Sequence, residues 1–123
     1  MTTTPVPVGT NLTLLVGTLR QPPELRALPG GDAVLTLEVA VHPDAGPAES
    51  VPIAWYEPSD DALAWPEGEE LVVTGRTRRR FFRSGGVTQS RTEVVATAAV
   101  PTRRAAAARK VVAAALAELG RPD

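Results

Sequence analysis

The stretch from Leu71 to Val100, LVVTGRTRRRFFRSGGVTQSRTEVVATAAV, decides the fold of this 123-residue chain. A first extended run, Leu71 to Phe82, is followed by Ser84-Gly85-Gly86 and then by a second run, Val87 to Val100. Adjacent glycines between two runs rich in β-branched residues are typical of a tight hairpin turn. The sequence therefore predicts two long antiparallel strands joined by a short turn.

Two more strands are predicted near the start of the chain. Asn11 to Leu19 is mostly apolar, and Gly17 within it marks a bend or bulge. Leu25 to Leu28 resumes extended structure before the turn-forming sequence Pro29-Gly30-Gly31-Asp32. The next run, Ala33 to Val41, alternates between two faces, and its apolar face carries Leu35, Leu37, Val39 and Val41.

A third strand, Val51 to Tyr56, precedes a predicted short helix from Pro58 to Trp65. Ser59 is a suitable N-cap for that helix, and Asp60 and Asp61 lie in its first turn, where the helix dipole favours negative charge. The order is thus three strands, a helix and two strands. This order is that of the five-stranded OB-fold barrel, so we expect an all-β domain of that class.

The composition divides the chain into three parts. Residues 1–10 are expected to be a flexible N-terminus, residues 11–101 the OB-fold domain, and residues 102–123 an alanine-rich C-terminal α-helix. Apolar residues recur along one face of this helix, which packs either on its own barrel or between protomers. They are Ala108, Val112, Ala115, Leu116 and Leu119.

Charge is distributed unevenly, although the net charge is only −1. Residues Glu49 to Glu70 include seven acids and no base, whereas Leu71 to Thr92 include six arginines and no acid. The chain has twelve arginines and one lysine, a bias typical of GC-rich coding sequence, so the clustering is more informative than the choice of arginine. The clustering predicts one positive face, suited to a polyanion.

Residues for catalysis or metal binding are scarce. The chain has no cysteine, and its single histidine, His42, precedes a proline in a turn-like segment. The glycine-rich segments lack the lysine and the strand-to-helix context of a phosphate-binding loop. We therefore expect no enzyme activity, no cofactor and no metal. The start of the chain does not resemble a signal peptide, and no apolar run is long enough to cross a membrane, so a cytoplasmic, nucleoid-associated protein is expected.

The predicted fourth strand combines cations with an aromatic ring. Side chains alternate along a strand, so one face carries Arg76, Arg78, Arg80 and Phe82, and the other carries Thr77, Arg79 and Phe81. Arginines that follow phosphates and a ring that stacks on a base are the features that a single-stranded nucleic acid requires. The alternative is a strand kept soluble by arginine, with both phenylalanines in the core.

The remaining aromatic residues are divided between core and surface. Adjacent aromatics must point to opposite faces, so one member of Trp55-Tyr56 and one of Phe81-Phe82 are expected in the core. Trp65, at the end of the short helix, is expected to close the bottom of the barrel.

Several of these segments, taken in order, resemble the bacterial single-stranded-DNA-binding protein (SSB) family. The resemblance covers roughly Asn11 to Val100. It begins with the first strand and Pro23-Glu24-Leu25-Arg26, continues through Val73 to Phe82, and is most specific at Thr92-Glu93-Val94-Val95.

The resemblance implies a binding site for single-stranded DNA. Arg78 and Arg80 would contact the DNA backbone, while Phe82 and Tyr56 would stack on bases. Further arginines complete the predicted site, namely Arg20, Arg26, Arg76 and Arg91. The family also implies a homo-oligomer, either a dimer or a tetramer, that acts in DNA replication, repair or recombination, with a replication or repair protein as a possible further partner.

The chain departs from the family pattern in ways that predict weaker binding or a shorter site. Tryptophans of the family are replaced near Ser50 and near His42-Pro43, and the basic hairpin between the second and third strands is short and rich in proline and glycine. The family's acidic-tipped tail is not among these residues. These differences favour a specialised paralogue. The alternative is a primosomal-type OB-fold subunit that binds proteins and has weak affinity for DNA.

Overall fold

The computed structural model describes residues 6–120, and most of this part of the chain is β-structure. The elements are β1 (Thr13–Leu19), β2 (Glu24–Ala27), β3 (Ala33–Val41), β4 (Glu49–Trp55), β5 (Glu70–Ser84), β6 (Val87–Pro101) and α1 (Ala105–Ala117). Two short 3-10 helices, Ala62–Ala64 and Glu118–Gly120, are also present. In this described part no helix has the length and hydrophobicity that a membrane crossing requires.

Five of the strands form a closed ring of pairings. The order around the ring is β1-β5-β6-β4-β3, and β3 pairs again with β1. The β4–β6 pairing is parallel, and the other pairings are antiparallel. The short β2 pairs with β3 outside the ring. This arrangement agrees with the predicted all-β class and with a C-terminal helix.

Gly17 allows the ring to close. β1 pairs with β5 from Thr13 to Thr18 in one uninterrupted register, and with β3 at Thr18 and Leu19. A Cβ atom on Gly17 would overlap the carbonyl oxygen of Ala40 and come within 2.8 Å of Val39 Cγ1. Gly17, predicted to mark a bulge, instead leaves the space that the backbone of β3 occupies. The register shift in the ring lies between β5 and β6, at Thr74 and Gly75.

The core lies inside the ring and ends at a pair of tryptophans. Leu35, Val39, Leu71 and Val73 are fully buried and are contributed by β3 and β5. Trp55 and Trp65 stack beside them with ring centroids 6.0 Å apart. Trp65 is only 3% exposed, in agreement with its predicted position in the core.

The predicted helix from Pro58 to Trp65 is reduced to a single 3-10 turn, Ala62–Ala64. Asp61 rather than Ser59 is at the N-cap position, and it makes no side-chain capping hydrogen bond. This segment lies between two prolines. The first turn of an α-helix is unfavourable to form and is stabilised only when further turns follow, and the segment is too short to add them. The backbone N–H of Ala62 instead donates to the carbonyl of Ser59 at 3.2 Å.

The C-terminal helix packs on the outer surface of its own ring, against β5 and β6. Ala115 is buried in this contact, whereas Leu116, predicted to pack, is 54% exposed. Arg104 just before α1 forms a 2.5 Å ion pair with Asp61, whose carboxylate also accepts a hydrogen bond from Trp65 Nε1. Asp61 therefore connects the 3-10 turn to the start of α1. Residues 1–5 of the predicted N-terminus and 121–123 of the predicted helix lie outside the described residues.

Replacing Gly17 with alanine is expected to lower the free energy of unfolding by about 1–3 kcal/mol, because the added methyl group overlaps backbone atoms of β3. Denaturant titration followed by tryptophan fluorescence measures the change. Arg76→Ala, on an exposed position of β5, serves as the control. If both variants have the stability of the parent, the close approach does not constrain this position.

Asp61→Asn is expected to destabilise the protein at pH 7 but not at acid pH. Hydrogen bonds from Ser59, and next from Arg104, hold the pKa of Asp61 below its ordinary value. The stabilisation is therefore present above the unfolded-state pKa of about 3.9 and is lost as the pH falls through the lower folded-state pKa. Unfolding free energies of parent and variant, measured from pH 7 to pH 2, should differ at neutral pH and approach each other as the pH falls from about 4 toward 2. Asp60→Asn is the control, and a difference that persists at pH 2 would contradict the assignment.

Candidate nucleic-acid interface

A groove of about 400 Å³ lies on the outer surface of β2, β3, β4 and β6, beside the far half of β5. Its floor is formed by small and medium side chains of β3 and β4, including Val34, Thr36 and Ala54. Four residues of the predicted binding site line it, namely Arg26, Tyr56, Arg80 and Arg91. The groove therefore collects residues from strands that are distant in sequence.

The register of β5 and β6 decides which side chains face the groove from the hairpin. Gly85 and Gly86 form a two-residue turn with φ of +60° and +79°, values that favour glycine and suit a tight hairpin. Ser84 therefore pairs with Val87, and the same register brings Arg78 opposite Glu93. Opposed residues of antiparallel strands share a face, so Arg78 has beside it a carboxylate that also lines the groove.

Arg78 is held by two partners. Its Nη2 donates to Glu93 Oε2 at 2.6 Å and to the hydroxyl oxygen of Tyr56 at 2.7 Å. Its guanidinium carbon lies 5.5 Å from the centroid of the Tyr56 ring. The hydrogen bond to Tyr56, followed by the one to Glu93, raises the pKa of Arg78. Arg78 is thus a fixed cation that positions the tyrosine ring at the edge of the groove.

Glu93 also binds Arg80. Its Oε1 lies 3.2 Å from Arg80 Nε, and the Glu93 residue is only 6% exposed. Arg80 in turn lies over the ring of Phe82, with 5.5 Å from the guanidinium carbon to the ring centroid. One buried carboxylate therefore partly neutralises both arginines that the sequence assigned to the DNA backbone.

The other two groove arginines have looser acidic partners. Arg91 Nη2 is 3.8 Å from Glu38 Oε2, and Arg26 Nε is 3.9 Å from Glu24 Oε1. Ion pairs this long and this exposed contribute little stability, so both arginines can be redirected at low cost. With Arg78 and Arg80, the groove side has four arginines and three glutamates, a formal charge of +1.

The two adjacent aromatic pairs behave differently. Trp55 is in the core and Tyr56 is 41% exposed at the end of β4, as expected. The expectation that one of Phe81 and Phe82 lies in the core is wrong, because Phe82 is half-buried outside the core and Phe81 is 67% exposed. The reason is that this part of the hairpin extends beyond the ring, where no other strand covers it.

Two predicted residues lie away from the groove. Arg76 is exposed on β5 opposite Val95, and it forms no ion pair with the described residues. Arg20 is exposed just after β1, where its backbone N–H donates to the carbonyl of Glu38 at 2.9 Å. Neither side chain lines the groove, and Arg78 and Phe82 adjoin it only through their contacts with Tyr56 and Arg80.

The glutamates Glu24, Glu38 and Glu93 are the site residues that sequence reasoning missed. The signal for Glu93 was available, because a two-residue turn at Gly85-Gly86 places it opposite Arg78 by counting back along the hairpin. No comparable local signal existed for Glu38, which meets Arg91 only because β4 lies between β3 and β6.

Comparisons with known proteins support the fold. No protein-family model matches the chain, and no curated protein sequence is significantly similar to it. A solved structure, the Plasmodium falciparum SSB in complex with ssDNA, is similar with a TM-score of 0.62 and 20% sequence identity. The similarity covers 75% of this chain and 94% of that one. At this identity the similarity shows that the two proteins share a fold, the OB-fold, and it does not single out the bacterial family.

Proposed function

We propose that this protein binds single-stranded DNA without sequence preference, in the groove between Tyr56 and the β5–β6 hairpin. The observation that carries the proposal is that Tyr56 and three arginines line one groove, namely Arg26, Arg80 and Arg91. Arg78 lies against the Tyr56 ring, and the Phe82 ring lies against Arg80. The similar Plasmodium SSB was solved in complex with ssDNA, which supports the same ligand class here.

The chemistry of the groove fits a single strand better than a duplex or a small molecule. An aromatic ring with an accessible face stacks on any base, so it provides affinity without selecting a sequence. Arg91 and Arg26, held only loosely, are the cations best able to reach phosphates, because long exposed ion pairs exchange readily with another anion. The groove is lined by both polar and apolar side chains, which suits a ligand that combines phosphates with bases.

The acidic side chains of the groove set the expected strength of binding. A phosphate that approaches Arg78 or Arg80 must compete with Glu93, which contacts both at 2.6 and 3.2 Å. Binding is therefore expected to be weak, with a salt slope smaller than four unpaired arginines would give. We further propose a non-enzymatic, cytoplasmic role in DNA replication, repair or recombination, as a specialised homo-oligomeric relative of the bacterial SSB family.

A second candidate function is that of a primosomal-type subunit that binds proteins and has little affinity for DNA. The near-neutral groove favours it, since three glutamates offset four arginines. Exposed apolar side chains at Leu14, Val16 and Leu116 offer contact surface to a protein. Measurement of the affinity for oligo-dT at low salt discriminates between the two functions.

Replacing both Arg78 and Arg80 with glutamine should weaken oligo-dT binding and flatten its salt dependence. Each lost phosphate contact reduces the log–log slope by about 0.7 for a single strand. Phe82→Ala should weaken binding by about 5- to 150-fold with little change of slope, because stacking releases no counterions. Fluorescence titration at several salt concentrations measures both quantities.

A matched control removes two positive charges from α1, by Arg109→Gln with Lys110→Gln, and should leave the slope nearly unchanged. Thermal unfolding of every variant verifies that the fold is retained. Absence of oligo-dT binding by the parent protein at low salt would overturn the proposed function.

Glu93→Gln should tighten DNA binding while lowering thermal stability. The substitution removes the negative charge that competes with phosphate at Arg78 and Arg80, so the salt slope should increase. Because these two arginines provide at most two phosphate contacts, this increase and the decrease in the Arg78 and Arg80 variant should together not exceed about 1.4. Stability should fall by about 1–3 kcal/mol, because a buried charged hydrogen-bond acceptor is lost. Glu67→Gln, on an exposed turn, is the control. Weaker binding by the Glu93 variant would contradict competition and assign Glu93 a positioning role.

A further inference from the structure

The β5–β6 hairpin carries a second basic and aromatic surface on the side opposite the groove. Alternation along β5 places Arg79, Phe81 and Arg83 on this side, which we name the reverse face. Phe81 is 67% exposed, the most exposed aromatic residue of the described chain. Across the hairpin the reverse face has only the hydroxyl side chains of Thr88, Ser90 and Thr92.

The charges of the reverse face are free, in contrast to those of the groove. Arg79 Nη1 contacts Ser90 Oγ at 3.5 Å, and Arg83 Nη2 donates to the carbonyl of Gly86 at 3.0 Å. Neither arginine forms a salt bridge with any residue between positions 6 and 120. The reverse face therefore has two unneutralised cations and no acid, whereas Arg78 and Arg80 share Glu93.

We propose that the reverse face is a second contact surface for the single strand bound in the groove, with a base stacked on Phe81 and phosphates at Arg79 and Arg83. This inference rests on the proposed function. A ring flanked by a cation on each side matches a polyanion whose bases have accessible faces. Alternate residues of a strand are about 6.8 Å apart, so the ring and its flanking cations form a continuous track.

The path from groove to reverse face is short. Beyond Gly75 and before Val94, β5 and β6 pair only with each other, so the hairpin is a two-stranded ribbon here. Phe82 faces the groove side and Phe81 the reverse face, and the two rings belong to adjacent residues. A strand that leaves the groove at Phe82 can therefore pass around the edge of the ribbon to Phe81. Contact with both faces lengthens the site.

The test compares short and long oligonucleotides, of about 6 and about 16 dT residues, within the range bound by OB-folds. The triple variant Arg79→Gln, Phe81→Ala, Arg83→Gln should bind the long oligomer at least 5-fold more weakly than the parent. Its salt slope for the long oligomer should be lower by up to about 1.4, for two lost phosphate contacts. Affinity for the short oligomer, which the groove accommodates, should stay within about 2-fold of the parent.

A second variant separates stacking from apolar contact. Phe81→Leu keeps an exposed apolar side chain but removes the ring, so it should lose affinity for the long oligomer nearly as much as Phe81→Ala. All substituted residues are exposed, and thermal unfolding should be unchanged.

The outcomes distinguish this inference from the proposed function. If the parent binds neither oligomer, the proposed function fails. If the parent binds both and the triple variant binds both equally well, the proposed function stands and the second surface is overturned. Unchanged DNA affinity together with loss of a protein partner would assign the reverse face to protein docking, and would also overturn the inference.

Discussion

The register of the β5–β6 hairpin is the constraint on which the functional surfaces depend. A two-residue glycine turn pairs Ser84 with Val87, and every cross-strand neighbour follows from that pair. The register places Glu93 beside Arg78 and within reach of Arg80 on one face, and only hydroxyl side chains beside Arg79 and Arg83 on the other. A shift of one residue would exchange the two faces and would expose Glu93 on the opposite side. A small local turn thus controls the electrostatics of a long ribbon.

The two faces of this ribbon represent different uses of arginine. On the groove face, Arg78 and Arg80 are oriented by a buried carboxylate and by aromatic rings, so their geometry is fixed but their charge is partly neutralised. On the reverse face the cations keep their full charge but have only weak or neutral contacts. Cations that are held in place select ligands by geometry, whereas cations without an acidic partner attract a polyanion from a longer distance. A single strand that contacts both faces would experience both effects.

The C-terminal helix packs on the outer surface of the ring, away from the groove. It covers β5 and β6 near Thr74 and Ala98, on the part of the sheet where the strands also contribute to the core. The ion pair between Arg104 and Asp61 connects the start of the helix to the 3-10 turn that precedes Trp65 of the core. The groove and the reverse face, at the far end of the hairpin, remain open.

The sequence by itself determined the order of the strands along the chain, the alternation of faces and the hairpin at Gly85-Gly86, because these follow from local periodicity and turn chemistry. It also predicted the burial of Trp65 and of one member of the Trp55-Tyr56 pair. From the order of the elements the OB-fold could be predicted, and from β5 alone most of the candidate arginines. Only the tertiary structure showed that the backbone of β3 packs closely against Gly17 and that Glu38 pairs with Arg91. It also showed that Phe81 and Phe82 both lie outside the core. These features depend on which distant strands become neighbours when the ring closes, and on how far the hairpin extends beyond it. Neither is encoded in the local pattern of side chains, since the same alternation is compatible with many pairings.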